Sequence, residues 1–372
     1  VHPSYQTGNS AQPPPFEFDQ QADRETVLAC KQLWDDFRDP EKFIPNALQI
    51  QTRQGTMTPF VLKKAQRRLI GRVKAKRDAG QPIRFIIDKT RRVGLSSVIA
   101  GLIFQETPFF EGQSALILAH EKKAARNLFG YYDRFEHSYQ KYKGIGLPRV
   151  IGRSASQDAG SIRWANRSQI EIATAKSLDF SRSFDFRFLH LSEYAYYPSI
   201  RGLMTALIAT VADDPATMVF KESTAKGYNE FYSDCIDAME GRGDYEFFFV
   251  GCFEDEDNVR SLERDNVDPE KFVESLTDEE WALAERYSLE PEQIYWRRKK
   301  LEDFKGDLKR FDQEYPHSWE VSFQASGRQR FDPLLFVGMP TEVPFEQGEL
   351  RKEEINRKEQ LVFRPHQFGE LT

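Results

Sequence analysis

The run Arg84-Phe85-Ile86-Ile87-Asp88-Lys89-Thr90-Arg91-Arg92-Val93-Gly94-Leu95-Ser96-Ser97 constrains the fold more than any other: an apolar strand passes straight into a basic turn that closes on Gly-x-Ser-Ser. A strand, a tight turn and the first turn of a helix aim several backbone N–H groups at one point, where a phosphate is held and the helix dipole favours its charge. The run reads as a phosphate-binding loop whose helix Ser96 opens. The common form is G-x-x-x-x-G-K-[ST]; here Lys89 stands at the first Gly and Leu95 at the Lys. Gly94 and the Ser96 and Ser97 hydroxyls remain, and the flexible stem of Lys89 can reach the same phosphates from the other end of the loop. Arg91 or Arg92 would add a second cation. The competing reading of these residues is a solvated basic turn.

Beyond the loop the pattern alternates strands with helices, which predicts an α/β fold with a mostly parallel sheet flanked by helices. Ser96 to Glu106 is the loop helix, Ser114 to His120 a buried strand, and Glu121 to Tyr139 a helix with Phe129, Tyr132 and Phe135 on its inner side. Ile162 to Trp164 and Gln169 to Thr174 form a hairpin across Asn166-Arg167. Phe184 to Leu191, Thr217 to Lys221 and Tyr245 to Phe253 are further strands; Ile200 to Val211 and Asn229 to Met239 are helices. Such sheets bind ligands at the carboxyl ends of their strands.

Two of those ends carry chemistry. Phe186 to Glu193 is an apolar strand ending in Ser192-Glu193, the form of a Walker B element with Ser at the usual Asp position. Glu193 would activate water, and Ser192 would be a weak neutral helper to a metal through a water; the bland alternative for Glu193 is a surface or helix-cap carboxylate. The next end, Lys221 to Gly227, places the Ser223 and Thr224 hydroxyls, Ala225 and the permissive Gly227 near the same edge, fit either to sense a phosphate or simply to cap a helix. Before the loop, a helix from Pro59 to Lys76 shows Phe60, Leu62, Leu69, Ile70 and Val73 on one side and a basic face on the other. Its Gln66 is either an adenine reader or a solvated amide.

At 372 residues and 40% hydrophobic content the chain has room for more than one core. Net charge is -6, but Lys63, Lys64, Arg67, Arg68, Arg72, Lys74, Lys76, Arg77 and Arg84 cluster ahead of the loop, while acidic residues crowd 254–320; a polyanion would meet one face and not the other. Cys30, Cys235 and Cys252 lack metal-ligand or redox spacing, and their odd number argues against a disulfide framework. No apolar run approaches a membrane span, and the N-terminus around Pro13-Pro14-Pro15 has no signal-peptide core, so a soluble protein of the cytoplasm is expected.

Together these stretches resemble one family, the large terminase subunit, the ATP-driven motor that packages DNA into the capsids of tailed bacteriophages. KTRRVGLSS is similar to its deviant Walker A, HLSEYAYY to a Walker B with Ser for Asp, and ESTAKG to its coupling motif; EFFFVGCFEDED and FDQEYPHSWEVSFQASGRQRFD follow in the family's order. The resemblance implies that the sheet is a P-loop (ASCE/RecA-like) sheet, with ATP and Mg2+ as cofactors. Lys89, Arg92, Gly94, Ser96 and Ser97 would hold the phosphates and metal, Gln66 the adenine, and Arg91 the γ-phosphate; Glu193 would activate water, and Ser223, Thr224, Ala225 and Gly227 would couple. Arg182 is the expected trans-acting arginine, with Arg153 and Arg163 as competitors. Implied partners are double-stranded DNA, the portal protein, the small terminase subunit and other copies of the chain. A monomer in solution would assemble as a pentameric ring on the procapsid portal vertex in the host cytoplasm.

The expected layout is an N-terminal arm and helix over 1–58, the ATPase domain over 59–254, a helical lid over 255–316, and over 317–372 a linker opening into a nuclease domain, so no nuclease activity is expected of these residues. With Leu95 and Ser192 in place, turnover by the isolated chain is expected to be low. Two alternatives remain: a non-hydrolysing nucleic-acid scaffold using the basic face, and another P-loop translocase or helicase, although no helicase motif follows residue 224.

Overall fold

The structure, a computed structural model, describes residues 24–25, 28, 32, 36, 39–52, 54–139, 148–156, 159–176, 185–208, 210–212, 214–323, 348–355 and 358–365. The expected arm over 1–22 lies outside them, and only a few residues of the helix expected from Arg24 to Phe37 lie within.

The apolar run before the loop becomes β3 (Ile83–Lys89), an inner strand of an eight-stranded sheet. Its neighbours are β10 (Glu246–Val250) on one side and β9 (Met218–Ser223) on the other, followed by β8 (Phe188–Ser192), β4 (Ser114–Ala119), β7 (Gln169–Thr174), β6 (Gly160–Trp164) and β5 (Val150–Ala155). From β10 to β7 every pairing is parallel; β6 and β5 continue antiparallel. The mostly parallel sheet expected from the alternation is therefore present. A strand intervenes between the loop strand and the Ser192-Glu193 strand, which is the ASCE arrangement. The hairpin across Asn166-Arg167 also forms, with Arg167 at φ 67° and Trp164 N donating to Ser168 O at 2.9 Å.

Side chains alternate across a strand, so each inner strand feeds two cores. On one face Phe85, Ile87, Ala115 and Ile117 pack with α1 (Pro40–Ala47), α2 (Lys64–Asp78), α3 (Leu95–Glu106) and α4 (Lys122–Tyr139) through Phe43, Leu69, Val98, Ile103 and Phe135. On the other, Ile86, Leu116, Leu118 and Leu191 meet α5 (Ile200–Ile208) and α6 (Glu230–Met239) through Leu203, Leu207, Phe231 and Cys235. α3 is buried nearly all round, as a helix wedged between sheet and outer helices must be. Cys235 and Cys252 are free thiols.

Several boundaries differ from expectation. α2 begins at Lys64 rather than Pro59, because Met57–Pro59 is β2 and pairs antiparallel with β1, Gln49–Gln51. Phe60 and Leu62 are buried, but in the extended lead-in rather than on the helix. β8 starts at Phe188, four residues after the expected Phe184, which lies outside the described residues. α5 ends at Ile208.

After β10 the chain leaves the sheet at a short 3-10 turn, Cys252–Glu254, and forms α7 (Pro269–Glu274), α8 (Asp278–Tyr287), α9 (Pro291–Asp303) and α10 (Leu308–Glu314). Side-chain caps open the first two of these helices. Asp268 accepts from Glu270 N and Lys271 N, while Thr277 and Glu280 exchange hydrogen bonds as a capping box. Leu262, Phe272, Leu283, Ile294 and Tyr295 give this region a small core of its own. The chain then returns beside its exit: Cys252 N donates to Pro316 O at 2.7 Å, and α11 (Trp319–Ser322) packs Trp319 against Phe247. Residues 348–355 and 358–365 form a separate antiparallel hairpin, β11 with β12. Among the described residues no helix is long and apolar enough to cross a membrane.

Candidate active site

The parallel register brings the carboxyl ends of β3, β9 and β8 side by side, and each ends in an ionisable or hydroxyl side chain. Ile87 and Ser192 both pair with Glu222 of β9, one on either side. Lys89, the last residue of β3, is only 5% exposed, and its ammonium lies 3.2 Å from Glu193 Oε1 and 3.0 Å from Glu222 Oε2. Burial pushes the Lys89 ammonium toward losing its proton, but the Glu193 and Glu222 charges outweigh it and hold the group above its ordinary value. Lys89 is thus a buried, fully charged cation at the mouth of the loop.

Glu222, wholly buried, is the hub. Its Oε1 accepts from Ser96 Oγ and Ser192 Oγ, both at 2.7 Å, and lies 3.2 Å from His190 Nε2. Burial alone would raise its carboxyl; Lys89, His190 and the Ser192 hydroxyl overcome that and keep it well below the usual carboxylate range. Glu193 follows in the left-handed region, φ 55° and ψ 45°, where a side chain with a Cβ costs about 1 kcal/mol. The turn is secured by Tyr196 N donating to Glu193 O at 3.0 Å, and the side chain stays 28% exposed, facing solvent on one side and Lys89 on the other.

The loop is set by Gly94 at φ 82°. Its carbonyl accepts from Gln66 Nε2 at 2.8 Å and Ser97 Oγ at 2.7 Å, which turns the oxygen back into the protein. The first-turn N–H groups of α3, which have no partner inside their own helix, close the cradle. Gln66 is 3% exposed, and its other end accepts from Lys63 N at 2.9 Å. The structure therefore places it as a strut behind the loop; of the two loop serines, Ser97 donates its hydroxyl back to the Gly94 carbonyl and Ser96 turns its hydroxyl to the carboxylate hub. Arg91 leaves the loop to pair with Glu314 at 2.9 Å, its own N–H donating to Glu314 O at 2.9 Å; Arg92 is exposed at φ 65°.

The coupling segment lies alongside. Ser223 is wholly buried opposite Asp88, the Thr224 hydroxyl lies 3.3 Å from Tyr196 OH, Ala225 O accepts from Gln313 Nε2 at 3.0 Å, and Gly227 takes φ 60°. Of the three arginines expected to act in trans, Arg153 is tied to Asp133 and Glu136 and Arg163 lies beside Glu171; Arg182 falls outside the described residues. The basic cluster ahead of the loop is laced to acids of the same chain: Lys63 to Asp255 and Asp257, Arg67 to Glu41, Arg68 to Glu254, Arg72 and Lys76 to Glu246, Lys74 to Asp39, Arg77 to Glu106, and Arg84 to Asp244. That face is closer to neutral than its composition suggests.

A cavity of about 510 Å³ lined by Ser114, Arg187, Thr210 and Thr217 opens at the opposite ends of the strands and contains none of these residues. The functional residues that sequence reasoning missed are Glu222 and His190. Both lie inside motifs, His190 in HLSEYAYY and Glu222 in ESTAKG, but only the sheet order brings them to Ser96.

No family model matches the chain. Among solved structures, it is similar to the large terminase ATPase domain of Thermus phage P74-26, at 16% identity and TM-score 0.39 over 66% of this chain and 92% of that one. It is also similar to the large terminase of a thermophilic bacteriophage in complex with ADP, at 13% identity and TM-score 0.39 over 55% of this chain and 48% of that one. The same phage protein in complex with ATP-gamma-S gives 12% identity and TM-score 0.38 over 55% and 48%.

Proposed function

We propose that this chain is the ATPase part of a DNA-packaging motor of the large-terminase type, holding ATP at the β3–α3 loop and hydrolysing it with Glu193. The observation that carries the chemistry is the convergence of Lys89, Ser96, Glu193 and Glu222 at one carboxyl edge, under the N-terminus of a buried helix. The family part of the reading rests on the order of the sequence motifs. Double-stranded DNA, the portal protein, the small terminase subunit and a pentameric ring belong to the same proposal.

Each residue has a stated task. Lys89, charged and on a flexible stem, swings from its carboxylates to the phosphates, and the α3 amides receive them along the helix axis. Glu193, half-open to solvent, accepts the proton of the attacking water; its left-handed turn aims the carboxylate away from the strand. Magnesium, when bound, would neutralise charge between the phosphate oxygens. Ser96 fits it, because a hydroxyl that gives its hydrogen to Glu222 keeps its lone pairs for a cation. Thr224 and Gln313 link the phosphate edge to the helical region through Tyr196 and Ala225 O, a route by which departure of the terminal phosphate shifts the helices.

The test is nucleotide binding and steady-state hydrolysis at high protein concentration, with and without double-stranded DNA. Glu193→Gln is expected to keep binding and lose about 100-fold or more in turnover. Lys89→Ala is expected to lose binding first. A folded parent chain that binds no nucleotide would overturn the reading.

A further inference from the structure

In a loop of this kind a carboxylate is expected at the end of the acidic strand, where this chain has Ser192. The negative charge is not missing from the site, only displaced by one strand. Ser192 pairs directly with Glu222 across the β8–β9 ladder, and neighbouring strands lie about 4.8 Å apart, a span that a glutamate side chain covers. The displaced carboxylate accepts both the Ser192 hydroxyl and the hydroxyl of Ser96 on the same oxygen.

Charge counting gives a second, independent reason. One cation, Lys89, faces two carboxylates, and Glu222 is wholly buried. When Lys89 turns toward phosphate, Glu222 loses its principal counter-charge in a place where an unpaired anion is costly. Its Oε2 has no hydrogen bond of regular geometry besides the nearby ammonium, so that oxygen is left exposed to the field of whatever replaces Lys89. A dication next to Ser96 restores the balance. His190 is already against the other oxygen before Lys89 moves, so it adds nothing new when the ammonium leaves.

We infer that Glu222 of β9 is the magnesium-positioning carboxylate of this site, standing in from the adjacent strand for the acid that Ser192 replaces. It acts through the Ser96 hydroxyl and through the charge it presents to the cation, and the exchange of Asp on β8 for Glu on β9 is a compensated pair rather than a loss. The inference rests on the ATPase reading and specifies the metal side of that site.

The test compares ADP affinity with magnesium and with EDTA for the whole chain, the Glu222→Gln variant, and the double variant Ser192→Asp with Glu222→Gln, alongside electron paramagnetic resonance of free manganese in the ADP mixture and circular dichroism for folding. Magnesium is expected to tighten ADP binding by the parent. Glu222→Gln should lose about 10- to 100-fold of that tightening and leave manganese free in solution, and the double variant should recover both by returning the carboxylate to β8. A folded Glu222→Gln chain with the parent's magnesium response would overturn the inference. If that variant does not fold, the double variant decides: a folded chain with the magnesium response supports the exchange, and one without it overturns the exchange. A parent that binds ADP equally with and without magnesium refutes the metal role alone, whereas a parent that binds no nucleotide refutes the ATPase reading beneath it.

Discussion

Asp88 shows how close packing stores a pH response. It is wholly buried beneath the loop, held at one oxygen by the Ser322 hydroxyl, with its Oδ1 unpartnered. Burial pushes its carboxyl from 3.8 up to about 7, against the pull of Ser322 and of the Lys89 cation. A carboxyl that binds its proton more tightly in the folded chain adds stability below its unfolded value and loses it as pH climbs through the folded one. Asp88→Asn should therefore be more stable than the parent at about pH 8, by as much as about 4 kcal/mol, with the difference vanishing near pH 4 in urea titrations. Gly94 is constrained for a different reason: at φ 82° an added Cβ would also come within 2.8 Å of Gln66 Nε2. Gly94→Ala is expected to cost about 1–2 kcal/mol in thermal unfolding and to weaken nucleotide binding with it. The loop residues were legible because strand, glycine and hydroxyls are contiguous. The role of Glu222 was not, because its partner Ser96 is far away in sequence and the motif that contains it draws attention to the hydroxyls that follow.

At the scale of elements, local rules spoke clearly where caps and alternation coincide. Asp268-Pro269 and the Thr277 to Glu280 box announced α7 and α8 and were realised as hydrogen bonds. β5 was not anticipated, since its outward residues are mostly exposed and its register slips between Val150 and Gly152. α1 was hidden by Pro45 inside it, a residue that normally argues against a helix interior. Phe60 and Leu62 share the apolar spacing of α2 while serving an extended lead-in, so the spacing alone starts the helix five residues before Lys64. Between helices, Arg298 of α9 grips both oxygens of Glu280 at 2.6 Å and reaches the Ser275 carbonyl at 2.8 Å. Arg298→Ala should lower stability by about 1–2 kcal/mol in urea denaturation, more than Arg298→Lys, because the planar fork is what makes the bidentate grip.

At the scale of the whole chain, the doubly covered sheet follows from buried strands separated by helical patterns, and that much the sequence states openly. What it does not state is how the helical region touches the loop. Thr90 N is held by Val250 O, and Arg91 by both the backbone and the side chain of Glu314, the last residue of α10. The arginine expected at the γ-phosphate is thus engaged by the helices, and an exposed pair of this kind is worth at most about 1 kcal/mol. Glu314→Ala is accordingly expected to tighten nucleotide binding by up to about 5-fold, read by fluorescent-nucleotide titration; unchanged affinity would show that Arg91 does not exchange between the two. The hydrogen bond from Cys252 N to Pro316 O has another consequence. The helices leave the sheet and rejoin it at one doorway, so in chain-topology terms they are a detachable excursion. A short turn joining the two sides of the doorway would close the sheet without them, and insertions or deletions between residues 255 and 313 can change the size of the excursion while the strand order beneath it stays fixed.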